Sequence, residues 1–379
     1  IKKTYNQIIK KDIDLKILKE QAKLLYKIII KYIFFIIYGK IYFKNKRSED
    51  VKVINLKHPK VKKYNSSNYK IYVIKNGRLC TDGVEQVALI DGNQILKEVS
   101  YTQIKGNLVT SKRNFTVSRG TPYFKKKING NVLCLAQGAS GNNYFHWMFD
   151  IIPKINIIAL GYGLKNVDYF YMPKIQYFQK KILKILKIKK IKFIDSNKYK
   201  HIQADNLIVT EHPWYFKGKV FKEANHLPKW IANWLKTSFI NKSKHNSKIK
   251  KLFIDRSESK FNHCKLINNN EIIITLKKRG FKIIQVGKLS FERQIGLFRN
   301  AKIIVGPHGA AFTNLLFCRP KTKIIEIKPK NRPNNYKIIS KINNLKYKQF
   351  ISSSISEKKK INGDMYIDPK KILSELKSE

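Results

Sequence analysis

Acidic residues are scarce in this chain: 25 Asp and Glu stand against 78 Lys and Arg in 379 residues, a formal net charge of +53. Part of that excess reflects a Lys, Ile and Asn usage of the kind an AT-rich genome gives, but what is left makes a surface that attracts polyanions. Cysteine is also sparse. Cys80, Cys134, Cys264 and Cys318 lie far apart without a C-x-x-C pair, which argues against a zinc site or a disulfide framework and suits a reducing cytoplasm. Long apolar runs are missing as well. The best of them, "YKIIIKYIFFIIYGKIYF" at 26–43, is broken by Lys27, Lys31 and Lys40, short of the ~18–20 apolar residues a bilayer span requires. No secretory signal is visible. No G-x-G-x-x-G follows a candidate strand, which disfavours a dehydrogenase of the usual kind. The lone D-x-D, in "KDID" at 11–14, sits in a lysine-rich helical segment and is set aside as a metal-diphosphate site.

The length suits two packed domains of roughly 100–150 residues with attached segments. Residues 1–50 read as basic and helical, and the lysines interleaved with Ile, Phe and Tyr at 26–43 fit either a helix packed on the core or one lying in a membrane interface. Residues 51–130 read as a small β-rich unit, with apolar/polar alternation around Asn76-Gly77 and Asp91-Gly92. At 131–240 the period changes: strand "NVLCL", Gly-rich loop "AQGASGNN", an apolar helix interrupted by Pro153, then strands "DYFYM" and "IKFI" around the helix "QYFQKKILKILKI". The same grammar restarts after the polar stretch "NKSKHNSK" (241–248) and fills 246–350, leaving 351–379 as a C-terminal tail. There, strands "KLFI", "FKIIQV", "KIIV" and "KIIEI" alternate with helices that Asn268 with Glu271, and Ser290, would cap and Gly280 would end. The expected fold class is α/β: two tandem units with parallel sheets and a ligand cleft at the carboxyl ends of the strands.

In such a sheet the loop after each strand faces the cleft. "GPHGAA" (306–311) is one of these, opening into a helix whose first amides are free for phosphate. Gly309, Ala310 and Ala311 let a ligand approach the backbone, while His308 and Thr313 add polar groups. The alternative is a plain strand–helix turn. Arg256, just past strand "KLFI" with Lys260 close behind, offers a planar fork suited to a diphosphate. Glu326 either accepts hydrogen bonds from a ribose diol or pairs with a neighbouring lysine. In "GNNYFHWMFDIIP" (141–153), His146 and Asp150 stand at i and i+4 on a helix, and a histidine with a carboxylate facing a cleft meets the needs of general-base removal of a hydroxyl proton. Phe145, Trp147 and Phe149 read as core.

"NNYFHWMFDIIPKI" (142–155), "FIDRSESK" with "LINNNEI" (253–272), "LSFERQIGLFRNAKIIVGPHGAAFTNLLF" (289–317) and "KIIEI" (323–327), in this order, resemble glycosyltransferase family 61. The bacterial members of that family are often associated with capsular polysaccharide biosynthesis. The resemblance covers residues 70–330 and implies a GT-B architecture, with two Rossmann-like domains facing a cleft. It also implies inverting transfer with no cofactor and no obligatory metal. It places Arg256, His308 and the Gly309–Thr313 turn on a nucleotide diphosphate, and His146 or Asp150, with Asp150 the usual kind of base, near the acceptor. The donor-binding set is then Arg256, Lys260, His308, Gly309, Ala310, Ala311, Thr313, Asn314 and Glu326. One loop departs from the family pattern: Asp255 precedes Arg256, and Phe261-Asn262 stand where further arginines are common. The expected function is transfer of a sugar from a nucleotide-diphosphate donor to a glycan or lipid-linked glycan, in capsule or lipopolysaccharide biosynthesis. The expected location is the cytoplasm, peripherally against anionic lipid on the inner membrane face. The competing readings are a basic nucleic-acid-binding protein, for which no stacking platform or known module is visible, and a catalytically inactive α/β binding module.

Overall fold

The computed structural model describes residues 2–43, 47–57, 68–82, 86–104, 107–110, 114–136, 143–215, 219–243, 245–259, 264–330, 332–352 and 363–377. Its C-terminal half is built on five parallel strands, in the spatial order Lys282–Ile284, Lys251–Ile254, Ile303–Pro307, Lys323–Pro329 and Lys346–Ser352. The first four are the expected apolar runs. Between them run the helices Asn269–Lys277 and Phe291–Asn300, the second capped by Ser290 Oγ accepting from the Arg293 N–H at 3.3 Å. Gly280 ends its helix in the left-handed region, at φ 79°. The other cap differs from expectation, because Asn268 gives its side-chain N–H to Glu271 Oε2 at 2.8 Å instead of capping the backbone. The fifth strand, Lys346–Ser352, follows the helix Asn335–Ile342 and lies on the sheet edge, where Lys346 and Lys348 face water while the Tyr347 hydroxyl turns inward to Glu326. Downstream, Met365, Ile367 and Ile372 are buried in the core of this half.

In chain order that sheet reads 2-1-3-4-5, so strand order reverses between Lys251–Ile254 and Ile303–Pro307. Crossover connections leave the sheet on opposite faces at such a point, and a crevice opens beyond the strand ends. The N-terminal half repeats the device. Its four parallel strands lie in the order Lys192–Asp195, Tyr169–Met172, Lys126–Cys134 and His201–Thr210. This is a 3-2-1-4 arrangement, with the reversal between Lys126–Cys134 and His201–Thr210. Antiparallel strands Asn68–Lys75 and Arg78–Thr81 pair directly with His201–Thr210, so one sheet of 11 strands continues without a break across residue 130.

The two sheets share a core: Phe145, Trp147 and Phe149 of the first half belong to one apolar cluster with Phe291, Phe312 and Phe317 of the second. A polar pin crosses the same junction. Tyr144 donates to Asn314 Oδ1 at 2.8 Å, and Asn314 in turn donates to Gln294 Oε1 at 3.0 Å. Burial without loss of hydrogen bonds is what makes such an amide tolerable at an internal junction. The long helix Lys2–Tyr38 precedes all of this, and among its described side chains the buried contact with the body is Phe34, near its C-terminal end.

Candidate active site

The four chain segments that leave the two reversal points carry the polar groups of the site. After Lys251–Ile254 comes Arg256, and after Ile303–Pro307 comes His308. After Lys126–Cys134 the chain returns at Asn143 to His146, and after His201–Thr210 it reaches His212 and Trp214. A cavity of about 690 Å³ separates the first pair from His146. Its floor and walls include Tyr144, Phe178 and Lys181 on one side and Arg256, Ala310, Ala311, Arg332 and Tyr336 on the other.

Arg256 sets the electrostatics. It donates through Nη1 to the His308 carbonyl, and burial pushes its pKa down from the usual guanidinium value. Guanidinium stays charged nonetheless. Among the described residues no carboxylate forms an ion pair with it, and its other N–H groups find no protein partner. Gly309 makes room for this placement: a Cβ there would come within 2.6 Å of Arg256 Nε and 2.7 Å of Cζ. Asp255, the acid next door, does not neutralise the cation. It accepts from Ser257 N and Oγ, Asn269 Nδ2 and Gln285 Nε2 at 2.7–3.1 Å. Against the cost of burial these donors hold its pKa below the usual carboxylate range.

His308 is buried, and its Nδ1 lies 2.5 Å from Glu326 Oε1. Burial lowers its pKa despite the opposing carboxylate, so the ring is neutral, donates its single N–H to Glu326, and leaves Nε2 an acceptor. Glu326 accepts from the Tyr347 hydroxyl with its second oxygen, is 1% exposed, and stands behind His308 instead of lining the cavity itself. Thr313 and Asn314 do not line the cavity either. The segment Ala310–Phe317 is a 3₁₀ helix, which turns both side chains into the core, each 0% exposed, while Ala310 and Ala311 alone of that segment line the cavity. Lys260 and the glycines of "AQGASGNN" lie outside the described residues.

Across the cavity, Asn143 caps the turn Tyr144–His146, accepting from the Phe145 and His146 N–H groups, and the chain then widens into a π-helical turn over Trp147–Ile151. His146 Nδ1 meets Asp150 Oδ2 at 2.7 Å. The helical pairing expected from sequence is present, but only His146 reaches the cavity. Asp150 is 4% exposed and receives Trp214 Nε1–H at 2.8 Å, with His212 Nε2 3.8 Å away. Burial alone would raise its pKa, yet His146 and His212 hold it well below the usual carboxylate range. A buried, fully engaged carboxylate of that kind is a weak base and a strong orienting group. Sequence reasoning missed His212 and Trp214. The signal was "EHPWY" (211–215) directly after a strand, the position His308 holds in the other sheet. His212 Nδ1 accepts from Trp214 N and Tyr215 N at 3.3 and 2.9 Å, which leaves Nε2–H directed at Asp150.

With this geometry in place, comparison with known proteins gives a family. A family model described as "Glycosyltransferase 61" matches residues 144–325, which span the site from Tyr144 past His308. This segment is a glycosyltransferase 61 domain. Within it fall His146, Asp150, His212, Arg256 and His308. The chain is 29% identical over 86 residues to the EGF domain-specific O-linked N-acetylglucosamine transferase of Drosophila melanogaster, 22% of this chain and 16% of that protein. The aligned stretch is thus under a fifth of that relative's length. The crystal structure of the bacterial iron-containing dodecameric glycosyltransferase TibC from enterotoxigenic E. coli H10407 superposes with TM-score 0.30 at 10% identity, covering 76% of this chain and 81% of that one. The dodecameric iron-containing heptosyltransferase TibC in complex with ADP-D-beta-D-heptose gives TM-score 0.28 at 10% identity, over 69% and 75%. Backbones related at that level cannot be equated, and nothing below rests on them.

Two outcomes follow for this glycosyltransferase 61 domain. Gly309 has extended backbone, at φ 169°, so Gly309→Ala does not strain the backbone and its Cβ meets only the movable Arg256 side chain closely. The variant is expected to fold with a melting temperature close to wild type but to displace the Arg256 guanidinium, losing anion affinity as Arg256→Ala does, as read by calorimetric titration with a nucleoside diphosphate. The second outcome concerns acid. Burial lowers the pKa of His212 and of His201 from 6.5 to about 4. Between those values the unfolded chain takes up protons that the folded chain refuses, so stability is complete above pH 6.5 and falls as pH drops toward 4. His212→Asn keeps an acceptor at the Nδ1 position without a titrating ring, and its melting temperature should fall less steeply between pH 6.5 and 4.

Proposed function

We propose that the chain is an inverting glycosyltransferase of GT-B type, in which the two halves face each other across the cavity and transfer a sugar from a nucleotide-diphosphate donor to an acceptor hydroxyl. The observation that carries this reading is Arg256, a half-buried cation with no carboxylate ion pair among the described residues, at the strand-order reversal beside the Gly309–Ala311 turn. Such a point takes up a diphosphate because its charge, its fork of donors and its helix N-terminus all favour one. In this reading the neutral His308 accepts a hydroxyl of the donor at Nε2, instead of donating to phosphate as the sequence suggested.

The step is a single displacement. His146 Nε2 takes the proton of the acceptor hydroxyl while Asp150 holds Nδ1–H, which makes Asp150 a positioning residue and moves the role of base to its neighbour. The acceptor oxygen bonds to the anomeric carbon as the bond from that carbon to the diphosphate breaks. The electron pair leaves with the nucleoside diphosphate, and Arg256 and the turn amides stabilise the growing charge without a metal. The acceptor we propose is a glycan or lipid-linked glycan in surface polysaccharide (capsule or lipopolysaccharide) biosynthesis on the inner membrane face. The name of the Drosophila relative makes an N-acetylglucosamine donor the first to try.

The reading is tested on a panel of nucleotide sugars, UDP-N-acetylglucosamine first. Arg256→Ala is expected to lower the transfer rate by ~10²–10³, and His146→Ala to abolish base catalysis with donor KM unchanged. Asp150→Asn should lower kcat while KM for both substrates holds. Near-wild-type transfer by Arg256→Ala would remove the diphosphate site, and full activity in His146→Ala would remove the base.

A further inference from the structure

The helix Lys2–Tyr38 is longer than any other in the chain's described residues. Residues 15–29 are exposed on every side, so about four turns of helix stand away from the body. Among the described side chains the anchoring contacts come from Phe34–Tyr38. Phe34 is 6% exposed and packs edge-on to Phe124 at 5.4 Å, the Tyr38 carbonyl accepts from Arg78 Nη1 at 2.9 Å and the Tyr38 hydroxyl from Lys125 N at 2.9 Å. Gly120, at φ 70°, leaves room for the Phe35 ring.

The projecting part is two-faced. Leu18, Leu25, Ile29, Tyr32 and Ile36 follow at intervals of 7, 4, 3 and 4 and form one stripe. Their exposures are 66, 59, 48, 60 and 86%. Lys16, Lys19, Lys23, Lys27 and Lys31 follow at intervals of 3, 4, 4 and 4, and at ~100° per residue their stripe lies on the opposite side of the helix. A solitary helix with a bare apolar stripe is not stable in water by itself. The helix is not apolar enough to cross a membrane. An apolar face backed by lysines, on a chain of net charge +53, complements a surface that is apolar beneath and anionic at its edge.

From this we infer that the helix Lys2–Tyr38 lies in the interface plane of an anionic bilayer, with the Leu18–Leu25–Ile29–Tyr32–Ile36 stripe among the acyl chains and the lysines at the headgroups. The last turn then fixes the body, and with it the cavity, beside the membrane. The inference is independent of the transfer reading, since it concerns no residue of the cavity.

Co-sedimentation of the full chain with vesicles tests it. Vesicles of phosphatidylcholine mixed with phosphatidylglycerol are expected to bind the wild type at least about tenfold more tightly than pure phosphatidylcholine, with the difference fading at high salt. Leu25→Glu with Ile29→Glu should cut that binding at least about tenfold, with melting temperature and near-ultraviolet circular dichroism unchanged because both side chains are exposed. If that variant does not fold, Lys16→Gln with Lys23→Gln and Lys27→Gln, which should abolish the preference for anionic vesicles, takes its place. Equal partitioning of wild type and variant, or equal binding to neutral and anionic vesicles, overturns the inference. So does sedimentation equilibrium showing a dimer that Leu25→Glu dissociates while the wild type ignores vesicles, which would make a second copy the cover of this face.

Discussion

A half-buried guanidinium with no carboxylate ion pair among the described residues is the constraint around which this site is arranged. Desolvating a cation is costly unless something answers its charge, and the chain answers Arg256 with a single carbonyl, that of His308. Among the described residues no carboxylate forms an ion pair with it, although Glu258 on the same cavity wall acts on its charge from farther away. Asp255 is tied up by neutral donors, and Glu326 is taken by His308 and Tyr347. Gly309, lacking a side chain, is what lets the fork lie against the turn. A ligand that brings its own negative charge completes the arrangement.

The two halves solve the same geometric problem twice. In each, a parallel sheet reverses its strand order, and the two strands flanking the reversal deliver the functional groups: Arg256 and His308 in one, His146 and His212 in the other. Each half also fixes a cavity histidine by giving its Nδ1 to a buried carboxylate, Asp150 for His146 and Glu326 for His308. The result is a cavity with Arg256 on one wall and His146 on the other, the pair on which the proposed transfer rests. Aromatic contacts hold the walls together, with Tyr336 tilted against His308 and edge-on to Phe145 at centroid distances of 5.1 and 6.0 Å.

Much of this was legible in the sequence, for a physical reason. Apolar runs ending in Gly, Pro or a charged residue mark strand termini of a buried parallel sheet, so Arg256 and His308 could be placed at one sheet edge without coordinates. What was not legible depended on direction within an element. The i, i+4 spacing brought His146 and Asp150 together but did not tell which of them faces the cavity, and the π-helical turn decides that in favour of His146. Likewise an α-helix after His308 would have presented Thr313 differently from the 3₁₀ helix that forms. The edge strand Lys346–Ser352 escaped because its exposed side chains carry no apolar run. His212 escaped because its partner, Asp150, is 62 residues away in sequence and only the sheet topology unites them.

The central claim is that Arg256 and the turn after it are built for a diphosphate. A crystal structure of the chain soaked with uridine diphosphate, and in parallel guanosine diphosphate, tests it most directly. The account predicts phosphate oxygens within hydrogen-bonding distance of the Arg256 guanidinium and the Gly309–Ala311 amides, with the His146 side of the cavity left open. Phosphates bound elsewhere in the molecule, or a carboxylate of the chain folded onto Arg256 in their place, would contradict it.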